Sequence, residues 1–517
     1  MRKFYITTPI YYVNGNPHIG HSYTSIACDA LSRYKRLKGY KVLFSTGTDE
    51  HGQKIKNASL DKKMEPKAFV DTIVPRFKAL WEKLDISYDD FIRTTDERHI
   101  ETVKNILETI HKKGDLYEGE YSGWYCTPCE SFWAEKELKE GNCPECNRKV
   151  EFIKEKNYFF KLLKYQDWLI DHINTHEDFI LPEIRRNEIL SFLKNPLNDL
   201  CISRPKSRLS WGITMPFSED HVTYVWFDAL INYISVCGYL KDPKNFKTFW
   251  PADIHMIGKD ILRPHTVYWP IMLHAAGIDM PKTVFAHGWW KIGEDKMSKS
   301  RGNIVNPIDM VDKYGVDAYR FFLLREVPFG IDGSFSEVAL ITRVNNDLAN
   351  DLGNLLNRTL SMMEKYFSGV LPERRDYKTS CEITRSLIET TKALDEKIDN
   401  AMNKIDFNST FNSIWELINK ANKFIEDKAP WKLKKEERID ELKDMMYDLY
   451  EVLRITAISV SSFMPNISSE MMKQLGIKED HLTKDMTWGL TKAGTKIEKG
   501  KPLFPRIERV VEDGREI

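Results

Sequence analysis

Two short motifs, far apart in the chain, hold side chains that can handle phosphate. His18-Ile-Gly-His21 puts two imidazoles on one turn, with a glycine between them that lets a ligand approach the backbone. At a helix start the peptide N–H groups and the helix dipole favour an anion. Lys296-Met-Ser-Lys-Ser300 offers two ammonium groups and two hydroxyls, a set suited to a loop that grips a leaving pyrophosphate. Either motif alone is weak. Together they point to chemistry on the phosphates of ATP.

A third cluster binds metal. Cys126-Thr-Pro-Cys129 and Cys143-Pro-Glu-Cys146 are two CxxC knuckles separated by thirteen residues. Each knuckle lends two thiolates to one tetrahedral ion, and two knuckles close its coordination sphere. A closed four-sulfur site has no open position for substrate, so its role is structural; iron fits the same ligands, but zinc is the usual occupant. The other four of the eight cysteines (Cys28, Cys201, Cys237, Cys381) are scattered among apolar or helical surroundings and read as small buried hydrophobes.

The elements that must position these groups follow from periodicity. Residues 3–8 read as a strand, then a turn at Asn14-Gly-Asn-Pro17, then His18. From Tyr23, Ile26, Ala27, Ala30, Leu31, Tyr34 and Leu37 recur at helical spacing until Gly39. Residues 42–46 form the next strand, which leads into Gly47-Thr-Asp-Glu-His-Gly52. Strand, turn, helix, strand opens a doubly wound nucleotide-binding fold, and its ligands gather at the carboxyl ends of the strands. That topology puts Asp49 near the site. The rhythm breaks near Tyr117 and returns after about Pro216, where residues 222–226, 254–257 and 283–286 are further short apolar runs. Beyond Phe335 the chain reads as helical, with Leu348, Leu352, Leu355 and Leu356 in amphipathic register. The expected class is therefore an α/β Rossmann-like doubly wound parallel sheet interrupted by a zinc-binding insertion, followed by an all-α helical-bundle domain. The boundaries expected are 1–116 and 217–290 for the two halves of the sheet domain, 117–216 for the insertion, 291–335 for the lysine loop and stem-contact region, 336–487 for the helices and 488–517 for a tail.

Composition fits this size and class. A chain of 517 residues, 42% hydrophobic and 29% charged, needs more than one core. Lys+Arg and Asp+Glu are both 76, so a nucleic-acid partner would have to meet a local basic face rather than a basic molecule. No apolar signal core follows Met1, and no stretch has the length to span a bilayer. The cytoplasm is the expected compartment.

With both phosphate motifs present in this order, the chain resembles a class I aminoacyl-tRNA synthetase. The segments Thr7 through His21, Val225-Trp-Phe-Asp-Ala-Leu-Ile-Asn-Tyr233, and Ile257-Gly-Lys-Asp-Ile261 through His265 narrow that resemblance to the methionyl-tRNA synthetase family, from Arg2 to about Trp431. The resemblance implies that Ile10, Tyr12, Trp226, Ala229, Tyr233, Ile261 and His265 line a methionine pocket. It implies that Asp49 receives the substrate ammonium and that Arg204 lies near the reacting carboxylate. It also implies ATP contacts by His18, Gly20, His21, Lys259, Asp260, Lys296 and Lys299, with His18, His21, Lys296 and Lys299 catalytic and Mg2+ accompanying the nucleotide. The matching Asn350, Asn354 and Arg358, spaced by four, would read an anticodon, with Trp431 stacking on a base. The implied partners are ATP, L-methionine and the initiator and elongator methionine tRNAs; no membrane is implied, and a monomer is expected. Tyr11 and Leu230 stand where another branch carries prolines.

The side-chain chemistry agrees. Methionine is unbranched and polarizable, and aromatic rings such as Tyr12, Trp226 and Tyr233 offer its sulfur favourable contacts, while His265 can offer a weak hydrogen bond. Leucine, isoleucine and valine enzymes share both phosphate motifs but need a large editing domain, because one methylene is worth only about 1–3 kcal/mol. The insertion at 117–216 has no room for one. A cysteine enzyme would need an open zinc, a small-molecule nucleotidyltransferase would need neither the lysine loop nor the helices, and a non-catalytic zinc-containing RNA-binding protein would not need Lys299 and His21.

Overall fold

The computed structural model describes residues 2–516 apart from 128, 130, 145, 293–294, 297–304, 376–380, 479, 509–510 and 513–514. The chain divides into two compact units, Met1–Trp289 and Trp290–Ile517.

The first unit is built on a seven-stranded sheet whose recorded pairings are all parallel. Lys3–Thr7 lies at its middle, between Lys41–Asp49 and Ile254–Gly258. The first half of the sheet thus extends to one side of Lys3–Thr7 and the second half to the other, which makes the carboxyl end of that strand the switch point where ligands bind in such sheets. Lys41–Asp49 also pairs with Tyr11–Tyr12 and with Asp90–Arg93, while Thr283–His287 extends the second half. Helix Ile19–Leu37 buries Ile26, Ala27, Ala30, Leu31 and Tyr34, the face that the apolar spacing picks out. Each large side chain so buried contributes about 1.5–3 kcal/mol.

Two features differ from the sequence reading. Residues 222–226 are not a strand of this sheet. Ser218–Thr223 pairs antiparallel with Ser203–Pro205 and Thr214–Met215 in a small separate sheet, and Val225–Leu230 is already a helix. A short apolar run suits a buried strand and a buried helix equally, so its periodicity does not choose between them. The insertion is also not wholly separate, because Ile180–Leu181 pairs with Val284 and Phe285 at the edge of the main sheet. Its knuckles are carried by an antiparallel sheet in which Leu116–Cys126 pairs with Glu151–Phe160 along ten residue pairs.

The second unit is helical. Its longest helices, Phe407–Lys428 and Ile439–Val460, bury Phe411, Trp415, Leu449 and Leu453. Leu348, Leu352, Leu355 and Leu356 are buried as well. The stretch after Trp488 is a strap held at intervals along this unit. Tyr447 Oη donates to the Thr491 carbonyl at 2.7 Å, the Leu371 N–H donates to the Thr495 carbonyl at 2.8 Å, and Asn345 exchanges two hydrogen bonds of 2.9 Å with the backbone of Ile507. Among the described residues no helix is long and apolar enough to cross a membrane.

Candidate active site and metal centre

His18 and His21 cap their own helix. The His18 Nδ1 accepts from the Gly20 N–H at 3.1 Å, and the His21 Nδ1 accepts from the His18 N–H at 3.1 Å. With both Nδ1 atoms accepting, the ring protons reside on Nε2, the tautomer able to donate to a phosphate oxygen. The rings stack at 3.9 Å, and Tyr11 packs its ring edge-on to His21 at 4.8 Å. Tyr11, where another branch carries proline, therefore braces a histidine. A Cβ at Gly20 would lie 3.1 Å from the His18 ring, so this glycine makes room for the imidazole as well as for a ligand.

At the carboxyl end of the neighbouring strand, Asp49 is buried and lies in register with Tyr12. The turn after it is anchored by Glu50, whose carboxylate receives Arg93 at 2.6 and 2.9 Å, Thr48 at 2.6 Å and Thr95 at 2.7 Å. The predicted pocket residues share one core. Ile10, Tyr12, Trp226 and Ile261, all partly buried, pack against the core that contains Tyr233. Ala229 is buried on the helix that carries Trp226. The Trp226 ring lies edge-on to His265 at 6.2 Å.

His265 differs from expectation in one respect. Its Nδ1 lies 2.8 Å from the Ile261 carbonyl, which can only accept, so Nδ1 carries the proton. Its Nε2, 2.7 Å from Tyr233 Oη, therefore accepts. Burial pushes the imidazole pKa down to about 4 and keeps the ring neutral. With both nitrogens engaged, His265 holds Tyr233 in place and has no N–H left to give a thioether.

Lys259 and Asp260 follow the strand Ile254–Gly258 directly. Both meet Trp289, which sequence reasoning missed: its Nε1 donates to Asp260 Oδ1 at 3.0 Å, and the Lys259 ammonium lies 4.2 Å from its ring centroid. A Cβ at Gly258 would come within 2.6 Å of Asp260 Oδ1 and push that carboxylate from its present place. Doubled tryptophans at 289–290 were the available signal. Arg204 is buried between Tyr224, at 4.6 Å, and Tyr125, at 5.2 Å, and donates to the Ser203 carbonyl at 2.6 Å. Lys296 belongs to the two-residue strand Asp295–Lys296, and Lys299 lies outside the described residues.

The four clustered cysteines converge. All their sulfurs lie within 4.8 Å of one another, with Cys126 and Cys146 at 3.5 Å and Cys129 and Cys143 at 3.9 Å. Tetrahedral coordination with bonds near 2.3 Å needs sulfurs about 3.8 Å apart, so the donor set fits a metal of that kind. None of the four is in a disulfide, and of the other four cysteines Cys28, Cys201 and Cys237 are buried as expected, whereas Cys381, just before a helix, is exposed with Lys428 Nζ at 3.0 Å from its sulfur.

In the helical unit, Asn350 lies in a π-helical stretch, Val344–Gly353, and Asn354 and Arg358 lie in the α-helix that continues it. The spacing of four thus holds α-helical phase for Asn354 and Arg358 only, because the wider turns shift Asn350. Asn350 Oδ1 accepts from the strap's Arg506 at 2.7 and 3.2 Å, and Arg358 lies 3.8 Å from Glu426. Trp431, in the short helix Pro430–Lys435, is 52% exposed and has Lys432, Lys434 and Lys435 beside it.

Comparison with known proteins agrees with this arrangement. Residues 4–151 and 147–360 match the family described as tRNA synthetases class I (M), and residues 376–515 match the anticodon binding domain of methionyl tRNA ligase. The chain is 52% identical over 510 residues to a methionine–tRNA ligase of Caldanaerobacter subterraneus subsp. tengcongensis, covering 98% of this chain and 79% of that one. It is 50% identical, with the same coverage, to one from Clostridium tetani. A solved structure of Mycobacterium tuberculosis methionyl-tRNA synthetase in complex with methionyl-adenylate superposes with a TM-score of 0.94 at 40% identity, covering 98% of this chain and all of that one. The chain belongs to the methionine–tRNA ligase family of class I aminoacyl-tRNA synthetases.

Proposed function

We propose that the carboxyl edge of the parallel sheet is where this chain joins methionine to AMP, before the methionyl group passes to methionine tRNA. The observation that carries this is the gathering at one sheet edge of the paired His18 and His21, Asp49, and the Lys259–Asp260 turn. Asp49 receives the substrate ammonium, while Ile10, Tyr12, Trp226, Ala229, Tyr233, Ile261 and His265 line the pocket for the thioether. Arg204 steadies the carboxylate.

Mg2+ accompanying the ATP would supply further charge for its phosphates. A carboxylate oxygen of methionine attacks the α-phosphorus, the bond to the bridging oxygen breaks, and diphosphate leaves with that electron pair. His18 and His21 donate from Nε2 to phosphate oxygens as charge builds, and Lys296 and Lys299 neutralise the leaving diphosphate. No protein nucleophile is required; catalysis is positioning and charge stabilisation. The 3′-terminal adenosine hydroxyl of the tRNA then attacks the acyl carbon and AMP departs. Asn350, Asn354, Arg358 and Trp431 select the anticodon of initiator and elongator methionine tRNAs. Cys126, Cys129, Cys143 and Cys146 would hold zinc, which would tie the insertion's loops together without touching substrate.

ATP–diphosphate exchange across all twenty amino acids tests this reading. Methionine alone should support exchange, and Lys299→Ala and His21→Ala should each slow it by orders of magnitude with methionine binding preserved. Exchange with another amino acid, or wild-type exchange in Lys299→Ala, would overturn it.

A further inference from the structure

The two ends of the proposed methionine site are mounted on elements far apart in the chain. Asp49 ends a strand of the first half of the sheet. Trp226 and Ala229 lie on helix Val225–Leu230 of the second half, and Tyr233 lies on helix Asn232–Cys237 after it. Asp228, on the first of these two helices, has a fully buried side chain. Its Oδ2 lies 2.6 Å from His51 Nδ1, two residues beyond Asp49, and its Oδ1 lies 2.7 Å from His99 Nε2, on helix Glu97–Lys112. His99 Nδ1 in turn lies 3.2 Å from Ser235 Oγ, on the helix of Tyr233. One carboxylate and two imidazoles therefore join the turn that carries Asp49 to both helices that carry the aromatic wall.

The Asp49 side of this clamp is braced by further contacts. Beyond the Glu50–Arg93 anchor, Trp211 donates from Nε1 to the Glu50 carbonyl at 2.5 Å and packs edge-on to His51 at 5.2 Å. Burial opposes ionisation of Asp228, yet His51 and His99 outweigh it and hold the carboxyl below its ordinary range. Removing one partner from such a group leaves the others buried and unsatisfied, so the clamp keeps its geometry or loses it as a unit.

We propose that the His51–Asp228–His99 clamp sets the length of amino acid this enzyme accepts, by fixing the span between the ammonium site and the thioether wall. A loosened span would admit a side chain longer by one methylene, while the ATP contacts on other elements would be unaffected. Asp228, His51 and His99 are thus positioning residues, and the inference rests on Asp49 as the ammonium site.

The test is ATP–diphosphate exchange with methionine and with ethionine, its homologue longer by one methylene, and with ATP varied separately. The wild type should prefer methionine by about 10–200-fold, the discrimination available from one methylene. Asp228→Ala and His51→Ala should raise the KM for methionine and shrink that preference by about tenfold, with the KM for ATP within about twofold of wild type. Asp228→Asn, with the same shape and a hydrogen-bonding group at each oxygen position, should recover most of the preference. If the alanine variants do not fold, His51→Gln takes their place and should likewise shrink the preference. A preference unchanged in folded His51 variants, or a parallel rise in both KM values, would overturn the clamp as a length gauge and leave it a structural brace. Asp49→Asn is the control. If it leaves the KM for methionine untouched, the ammonium reading fails; if it raises that KM while the clamp variants keep their preference, only the length gauge fails.

Discussion

Tyr233 Oη donates a hydrogen bond to His265 Nε2 at 2.7 Å, and His265 Nδ1–H donates one to the Ile261 carbonyl at 2.8 Å. This relay runs between three residues proposed to line the methionine pocket and makes their positions interdependent. Tyr233→Phe strands a buried acceptor on His265, at a cost of about 1–3 kcal/mol. The expected outcome is a raised KM for methionine in diphosphate exchange with little change for ATP. An unchanged methionine KM would remove the relay from substrate binding.

The same histidine sets a pH dependence of stability. Its folded pKa is pushed by burial from 6.5 down to about 4, so as pH falls the unfolded chain takes up this proton first. The stability it contributes is fully present above pH 6.5 and is lost as pH falls through about 4, amounting to on the order of 3 kcal/mol across that window. Denaturant unfolding of wild type and His265→Gln at several pH values should show the gap between them narrowing as pH drops across that range. A constant gap would mean the imidazole titrates alike in both states.

The four cysteines predict a stoichiometric metal. Purified protein should carry one zinc per chain, and Cys143→Ser should lose it, loosening the loops around Trp133 and slowing exchange indirectly. Cys143 and Trp133 share a small buried cluster remote in composition from the methionine pocket, so the KM for methionine should move less than the rate. Metal-free wild-type protein with full activity would refute the structural role.

What the sequence makes legible here is local. His18 and His21 are three residues apart and cap one turn, and each knuckle holds its two cysteines three residues apart, so spacing alone exposes them. The clamp is invisible for the opposite reason: Asp228 meets His51 and His99 across 177 and 129 residues. Ile180–Leu181 is too short for any period to show, yet it joins the main sheet. The π-helical turn under Asn350 escapes because a spacing of four presumes an α-helix. The strap after Trp488 carries little pattern of its own; it is placed by partners on other helices, such as Tyr447 and Asn345.

Trp289 should matter to the nucleotide and not to the amino acid. Its indole N–H holds Asp260 and its ring receives Lys259, both proposed to contact ATP. Trp289→Phe keeps a ring for the ammonium but removes the donor to Asp260. Loss of a hydrogen bond to a charged group, at about 1.5–3 kcal/mol, should raise the KM for ATP by roughly tenfold or more, with the KM for methionine unchanged. A shift in the methionine KM alone would place Trp289 elsewhere in the reaction.

Trp431 separates tRNA selection from amino-acid activation. Its ring is half exposed beside three lysines, whereas Trp415 in the same unit is buried and stacks on Phe321 at 4.9 Å. A tryptophan in the core contributes to stability, but one presented to solvent beside positive charge suits an unstacked base. Trp431→Ala should therefore leave the melting temperature and methionine-dependent diphosphate exchange near wild type, because exposed substitutions cost within about 0.5 kcal/mol. Aminoacylation of initiator and elongator methionine tRNAs should fall roughly tenfold to a hundredfold, as expected for a lost stacking contact of about 1–3 kcal/mol. Trp415→Ala is the contrasting case: a core truncation costing about 3–5 kcal/mol should lower the melting temperature sharply. If Trp431→Ala depressed stability, exchange and charging together, its ring would be packing helices, and the anticodon role would fall.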